Sequence, residues 1–229
     1  AEAEGWNPGR DDADAFHAAD PAGFLVAETG GASVASLSIV RFDGAAFLGL
    51  FICRPDWRGQ GHGLALWREG LARLAPGDMP VGLDGVPAQQ ANYAAAGFAF
   101  SHRTIRHTGA LAPHGPDPTR PFVQGDLAAV LALDRAVTGF GRAAFLADWL
   151  TGTPRRMTRV LARDGRIAGL GTLRACVSGW KAGPVLAEDR SAAEAVLDGL
   201  AAVAGGAPVS LDVPEPNAEA MAMAETRGL

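Results

Sequence analysis

The sequence predicts an α/β fold with mixed sheets, built as two similar lobes in tandem. Segments with the alternation of strands are interleaved with segments of helical periodicity, and their order repeats on both sides of a proline-rich stretch, GALAPHGPDPTRP (109–121). The segment VGLDGV (81–86) also resembles VSLDVP (209–214), and each leads into a short alanine-rich helix. The repeated order and the local similarity together indicate two copies of one architecture.

The lobe boundaries follow from the proline-rich stretch. We predict a first lobe over residues 1–110, a linker over 111–120 and a second lobe over 121–229. The chain lacks an initiator methionine and stops within the pattern of its last helix, at Leu229. We therefore expect both ends to be trimmed, with the N-terminal strand missing from the first lobe.

In the first lobe, apolar and β-branched runs predict strands at 23–28, 33–42, 46–53, 80–84 and 98–107. The longest apolar run, AAFLGLFIC (45–53), is much shorter than the roughly 20 residues of a membrane helix and therefore indicates a buried strand. Apolar residues at helical spacing predict helices at 61–75, at 88–96 and within 6–20, the last interrupted at Asn7-Pro8-Gly9. Trp67 and Leu71 form the core face of the helix at 61–75.

In the second lobe, helical spacing predicts helices at 125–136, 142–150, 191–204 and 217–226. The segment MTRVLARDGRIAGLGTLRA (157–175) predicts a β-hairpin, because Asp164-Gly165 is a favoured two-residue turn between alternating runs. Further strands are predicted at 182–187 and 208–213.

Composition excludes several classes of function. The net charge of −5 argues against broad electrostatic binding to nucleic acid. Cys53 and Cys176 are the only cysteines, which excludes a disulfide framework and a cysteine-built zinc site and suits a reducing compartment. The histidines lack ligand spacing, and no signal-peptide pattern opens the chain. We expect a cytoplasmic protein without a metal, a nucleic-acid partner or a membrane partner.

The stretch RGQGHG (58–63) opens the helix at 61–75 with three glycines, each costing up to about 1 kcal/mol relative to alanine. The first N–H groups of a helix lack intrahelical partners and carry the positive end of its dipole. Glycine lets a bulky anion approach that backbone, so this helix start predicts a phosphate or pyrophosphate site. The local charge agrees, because arginines outnumber acidic residues four to two over the stretch 54–73. The arginines are Arg54, Arg58, Arg68 and Arg73, and the acidic residues are Asp56 and Glu69.

Two common phosphate-binding motifs do not fit. A Walker A loop requires a lysine after its glycine, and this loop has none. A dinucleotide fingerprint requires a third glycine where Leu66 stands. The pattern present is instead Arg58-x-x-Gly61-x-Gly63 after an apolar strand.

These residues resemble the GNAT superfamily of acyl-CoA N-acyltransferases. That family has a strand, Val/Ile-x-Pro and then Arg/Gln-x-x-Gly-x-Gly/Ala, which Cys53-Arg54-Pro55 through Gly63 follows with a cysteine in the Val/Ile place. Its second motif, a tyrosine four residues before Gly-Phe, matches Tyr93 and Gly97-Phe98. The segments EGWNPG (4–9) and GLDGVPAQQANY (82–93) are similar to a two-lobed subgroup whose second lobe is degenerate.

The sequence also departs from the family pattern. Val86 stands where the family often has an asparagine. The second lobe keeps that asparagine as Asn217, but it has Ala224 in the tyrosine position and lacks a glycine-rich loop after Leu186. The first lobe is therefore expected to bind and react, and the second to bind no cofactor.

The resemblance implies an N-acetyltransferase that moves an acetyl group from acetyl-CoA, its co-substrate, directly to an amine in a ternary complex. Tyr93 would protonate the departing thiolate, since a tyrosine with a pKa of about 10 is neutral at pH 7. Asp84 and Glu4 are candidates for the base that deprotonates the amine. The resemblance assigns these residues to the cofactor: Phe51, Ile52, Cys53, Arg58, Gly59, Gln60, Gly61, His62, Gly63, Leu64, Asn92 and Tyr93.

Structural explanations stand beside these roles. Tyr93 can serve as a core residue, and Asp84 as a helix cap or turn acceptor. Cys53 is interpreted as a small buried thiol in preference to an acyl-enzyme nucleophile, and His62 is expected to project outward while the backbone binds.

The second lobe offers a further set of candidates, which either line an acceptor pocket between the lobes or form ion pairs and caps: Asp134, Arg135, Arg142 and Asp212. The acceptor is a small amine or an exposed protein amine. Two other functions remain open, a non-catalytic acyl-CoA sensor and an interaction module that binds no cofactor.

Overall fold

The computed structural model describes residues 1–74, 77 and 79–229. Its contacts divide the chain into two compact units. The first unit consists of Ala1 and Phe16–Phe100, and the second unit consists of Glu2–Ala15 and Ser101–Leu229.

The described residues form seven α-helices and ten strands. The helices are α1 (Asp12–Ala19), α2 (His62–Ala72), α3 (Gln90–Ala95), α4 (Leu127–Thr138), α5 (Ala143–Thr151), α6 (Arg190–Ala204) and α7 (Ala218–Thr226). The strands are β1 (Phe24–Thr29), β2 (Ala32–Phe42), β3 (Ala45–Cys53), β4 (Val81–Leu83), β5 (Thr104–Ala110), β6 (Arg120–Pro121), β7 (Arg156–Arg163), β8 (Arg166–Ala175), β9 (Trp180–Ala187) and β10 (Pro208–Pro214). The predicted mixed α/β class is confirmed. The end predicted for the helix at 61–75 lies outside the described residues.

The first unit is built on a four-stranded sheet in the order β1-β2-β3-β4. Neighbouring strands are antiparallel except for β3 and β4, which are parallel because α2 forms the crossover between them. Helix α2 covers one face of the sheet, and Trp67 lies in that core as predicted. A Cβ atom at Gly70 would lie 2.5 Å from Leu37 Cδ2, so a larger residue at this point would force the Leu37 side chain to move.

The second unit has a six-stranded sheet in the order β5-β10-β9-β8-β7-β6. Its β9–β10 pair is parallel and α6 connects the two strands. The predicted β7–β8 hairpin is present, and both turn residues adopt positive φ, 52° at Asp164 and 74° at Gly165, as this turn requires.

The strand predicted at 98–107 differs from the prediction in range and partner. Strand β5 begins at Thr104 and pairs with β10 along its whole length, from Thr104 opposite Pro214 to Ala110 opposite Pro208. The sequence places this strand in the first lobe, but its hydrogen-bonding partner belongs to the second unit. The alternation within one strand does not specify the strand that pairs with it. The lobe boundaries at 110 and 121 stay a prediction.

Candidate functional site

The glycine-rich stretch lies between β3 and α2. After β3, a 3₁₀ turn at Pro55–Trp57 leads into Gly59 and Gly61, whose φ angles of 77° and 87° are left-handed. Gly61 is the N-cap of α2, and no side chain among the described residues caps this helix. A Cβ at Gly59 or Gly61 would meet no atom within 4 Å, so open space lies beside the loop. The first N–H groups of α2 are therefore accessible to an anion.

Side chains of the loop brace its own backbone. Arg58 Nε donates to the Cys53 carbonyl oxygen at 2.9 Å, and Gln60 Nε2 donates to the Asp56 carbonyl oxygen at 3.0 Å. The His62 ring packs edge-on against Trp57 at 5.5 Å and is half-buried, and its outward projection stays a prediction. The side chains that the motif singles out thus hold the loop and leave its amides open.

A β-bulge lies at the end of β3. Ser36 pairs with Ile52 and Ser38 with Gly49, so Leu50 and Phe51 together face one residue of β2. Leu50 has a φ of 48°, and its carbonyl oxygen accepts a hydrogen bond from Ser36 Oγ at 2.8 Å. No motif in the sequence predicted this bulge.

Strands β3 and β4 separate before the bulge. Their parallel pairing covers only residues 46–48 of β3 and 81–83 of β4. Beyond Leu48, β3 continues to Cys53 with no described pairing to β4, which leaves backbone polar groups along that edge. Such groups require partners, and an extended ligand can supply them.

Tyr93 packs beside this opening. Its ring stacks on Trp67 at 5.6 Å with an interplanar angle of 29°, and Phe98 lies at 6.5 Å. Burial raises the pKa of the Tyr93 hydroxyl above its ordinary value, so the group carries its proton throughout the neutral range. Within the described part of the chain, this hydroxyl makes no hydrogen bond, which leaves its proton available to a ligand.

The remaining cofactor candidates have varied surroundings. Phe51 packs against Trp67 with ring centroids 5.2 Å apart, and Leu64 is 53% exposed on the first turn of α2. Cys53 is half-buried and not fully buried as predicted, and its thiol lies 3.5 Å from the Trp57 carbonyl oxygen. Asn92 Nδ2 donates to Oε1 of Gln89, the N-cap residue of α3, at 2.8 Å.

The two base candidates belong to different units. Asp84 is exposed and immediately follows β4, at the point where that strand leaves β3. Glu4 lies in a short 3₁₀ helix, Glu2–Glu4, whose contacts group it with the second unit. Asp84 is therefore the candidate that the first unit itself places at the opening.

The corresponding helix start in the second unit is already occupied. Asp189 caps α6 by accepting from the Ala192 N–H at 2.7 Å, and Arg163 Nη1 lies 2.7 Å from its carboxylate. Hydrogen bonds from Ala192, Ser191 and Arg163 lower the Asp189 pKa to about 2, so the cap is anionic at neutral pH. A phosphate would have to displace this carboxylate against like charge.

The tyrosine and asparagine positions of the second lobe have structural roles. Ala224 is fully buried, and the Asn217 side chain caps α7 by accepting from the Ala220 N–H at 3.0 Å. These roles explain both residues without a ligand.

The charged candidates of the second lobe form ion pairs. Asp134 is buried and bonded to Arg142, while Asp212 accepts two hydrogen bonds from Arg106, at 2.7 and 2.8 Å. Arg135 is exposed. The ion-pair interpretation therefore accounts for Asp134, Arg142 and Asp212.

The described residues contain no group of three or more histidine, cysteine, aspartate or glutamate side chains arranged to hold a metal ion. None of their helices combines the length and the apolar character that crossing a membrane requires.

Comparisons with known proteins agree with these features. Residues 2–98 match the acetyltransferase (GNAT) family, and residues 130–229 match an acetyltransferase (GNAT) domain. The chain is 32% identical over 216 residues to the holothin acyltransferase of Pseudoalteromonas sp. (strain SANK 73390), covering 93% of this chain and 72% of that protein.

Solved structures show the same fold. A putative acetyltransferase from Pyrococcus horikoshii superposes with a TM-score of 0.74 at 20% identity, covering 93% of this chain and 71% of that one. A tandem GNAT protein from the clavulanic acid biosynthesis pathway superposes with a TM-score of 0.61 at 17% identity, covering 97% and 87%. The predicted architecture of two tandem lobes is thus confirmed.

Proposed function

Because this chain belongs to the GNAT family of acyltransferases, we propose that it transfers an acetyl group from acetyl-CoA directly to an amine acceptor in a ternary complex. The observation that carries this proposal is the uncapped start of α2 behind Gly59 and Gly61, beside the open edge of β3. Acetyl-CoA is the general co-substrate of the family, and its diphosphate and extended arm require these two features.

The loop at residues 58–63 would hold the diphosphate. Its amides lie at the positive end of the α2 dipole, and Gly59 and Gly61 present no side chain to the open space. Arg58 and Gln60 hydrogen-bond to carbonyl oxygens of the loop, so its shape is fixed before a ligand arrives. A fixed shape reduces the ordering cost of binding.

The edge of β3 beyond Leu48 would bind the extended arm and the acyl carbonyl. An N–H on this edge can donate to the carbonyl oxygen of the thioester, and the same donor stabilises that oxygen more strongly as negative charge develops on it. The bulge at Leu50 turns the last residues of β3 away from regular pairing, which keeps such donors unoccupied.

Tyr93 would act as the general acid. When the amine nitrogen attacks the acyl carbon and the carbon–sulfur bond breaks, the thiolate needs a proton, which the Tyr93 hydroxyl can donate. Its half-buried position against Trp67 and its raised pKa keep that proton in place until the transfer.

The acceptor amine must be neutral to attack. Asp84 is the proposed base, because it is exposed at the end of β4 beside the opening. The acceptor is a small-molecule amine or an exposed protein amine. Since the relative from Pseudoalteromonas is named for holothin, holothin is the first small acceptor to test. The proposed location is the cytoplasm, because Cys53 and Cys176 are both free thiols.

The test is a panel of amines, holothin among them, screened for free-thiol release from acetyl-CoA, with calorimetry of acetyl-CoA binding in parallel. Acceptor-dependent thiol release supports the proposal. Binding without release by any amine would favour the alternative, a non-catalytic acyl-CoA sensor. Absence of binding would contradict both functions and leave an interaction module.

A further inference from the structure

One face of the second unit's sheet carries a row of polar side chains across five strands. Arg156 of β7 pairs with Arg174 of β8, and Arg174 pairs with Lys181 of β9. Lys181 lies opposite Ser210 of β10, which in turn lies opposite Thr108 of β5. Directly paired residues project from the same face of a sheet, so three cations and two hydroxyls lie side by side.

The cations of this row differ in how they are compensated. Arg156 donates to the carbonyl oxygen of Trp149 at 2.9 Å and lies 3.3 Å from an Asp148 carboxylate oxygen. Arg174 Nε lies 3.2 Å from Asp12 Oδ1. Lys181 is 8% exposed, yet it forms no hydrogen bond or ion pair with the residues that the structure describes. The Lys181 ammonium is not one of the fully buried, unbonded polar atoms of the described residues, so it lies within reach of solvent and of a small anion.

The two hydroxyls add a second free donor. Thr108 Oγ1 and Ser210 Oγ are 3.0 Å apart, and only one of them can donate to the other. The proton of the remaining hydroxyl has no acceptor in the described part of the chain. The row therefore presents an ammonium and a hydroxyl proton with nothing to receive them.

The charged groups around Lys181 compensate its charge only in part. Burial, together with repulsion from Arg106 and Arg174, holds the Lys181 pKa below its ordinary value, although Asp212 attracts the ammonium. The one nearby carboxylate on β10, Asp212, already accepts two hydrogen bonds from Arg106. Cys176 also lies nearby, and burial raises the pKa of its thiol, which keeps it neutral.

We propose that Lys181, Ser210 and Thr108 form a binding site for a small carboxylate on the second unit, a site that the proposed acetyl transfer does not use. One carboxylate oxygen would accept from the ammonium and the other from the free hydroxyl. The two oxygens of a carboxylate match these two donor groups, whereas a phosphate brings four oxygens and a second negative charge to the same pair.

The sequence allows a direct measurement, because Lys181 is the only lysine in the chain. Protein grown with ¹³C-labelled lysine gives one side-chain signal, whose titration reports the Lys181 pKa without assignment. We expect a pKa below about 10.4, the ordinary value, and a rise of at least about one unit when acetate replaces chloride at constant ionic strength. One unit means that the charged lysine binds acetate about tenfold more tightly than the neutral lysine does.

Thermal unfolding supplies the matched control. Acetate should raise the melting temperature of the unmodified chain and leave that of Lys181→Met unchanged, while Ser210→Ala should respond less than the unmodified chain. An unchanged Lys181 pKa in acetate would overturn the proposal, as would an equal acetate response in Lys181→Met. An equal or larger response to phosphate would overturn the assignment to carboxylates. The labelled-lysine titration decides the question even if Lys181→Met fails to fold.

Discussion

Replacing Gly61 by alanine tests whether the start of α2 binds the cofactor. Gly61 has a φ of 87°, a conformation that costs a residue with a Cβ roughly 1–2 kcal/mol. Its added Cβ would meet no protein atom within 4 Å, so steric overlap within the chain contributes nothing. The whole effect must therefore come from the backbone angle and from whatever occupies the open space.

Both possible responses of the loop weaken binding. If the loop relaxes in the free protein, binding must restore the left-handed angle, and 1–2 kcal/mol corresponds to an affinity loss of about 5- to 30-fold. If the loop stays in place, the free energy of unfolding falls by roughly the same amount. In that case the new methyl group stands in the space that the diphosphate should occupy, and affinity falls through contact.

Two matched variants separate these effects from general damage. Gly165→Ala introduces the same strain at a φ of 74° in the β7–β8 turn, also with no atom within 4 Å, and should lower stability without changing acetyl-CoA affinity. Gly63→Ala places its Cβ 3.5 Å from the Phe51 ring, an ordinary contact inside the helix, at a position where the family pattern accepts alanine. It should raise stability by up to about 1 kcal/mol and keep affinity.

The assay is calorimetric titration with acetyl-CoA, combined with chemical denaturation of each variant. An affinity of Gly61→Ala equal to that of the unmodified chain would refute the assignment of the diphosphate to this loop. An equal loss of affinity in Gly165→Ala would show that the effect is a general consequence of strain.

Three further changes test other parts of the structure. Tyr93→Phe should lower kcat by about 10²- to 10⁴-fold in steady-state assays, with little change in acetyl-CoA affinity. Because burial raises the Tyr93 pKa, the activity of the unmodified enzyme should fall only at strongly alkaline pH. A fragment of residues 111–229 should unfold at lower denaturant than one of residues 101–229, because only the longer fragment keeps β5 against β10, as circular dichroism would show. Asp134→Ala should cost about 3–5 kcal/mol in denaturation experiments by leaving Arg142 without its partner, while acetyl-CoA affinity stays unchanged.

Local periodicity predicted most of the secondary structure. The apolar run before Cys53, the spacing of Trp67 and Leu71 and the Asp164-Gly165 turn each act over a few neighbouring residues, so one sequence suffices to place the elements they mark. The open start of α2 could also be predicted from the sequence. Glycines in the first turn of an amphipathic helix go against helix propensity, so their presence requires an explanation other than helix stability.

Features that depend on residues far apart in the chain could not be predicted from the sequence. The bulge at Leu50 is defined by how β3 pairs with β2, and no residue type within 49–53 predicts a positive φ inside a strand. The partner of β5 is likewise set by β10, about a hundred residues later in the chain. The surroundings of Lys181 depend on distant partners for the same reason, since its lack of an ion pair becomes apparent only when five strands lie side by side.

Comparing the two units shows which features of the proposed cofactor site come from the shared fold and which come from the residues at the helix start. In the second unit, β9 pairs with β10 over only three residues, 180–182, and then two residues, Gly183 and Pro184, lie opposite one residue of β8. Strand β9 therefore has the same short parallel pairing and the same bulge as β3. Both units share this separation of the two parallel strands, so it is a feature of the fold. The helix starts differ, because Asp189 closes α6 whereas Gly61 leaves α2 open. The proposed function therefore predicts that diphosphate binding depends on the few residues at the helix start, and exchanging that turn should transfer or abolish it without altering either sheet.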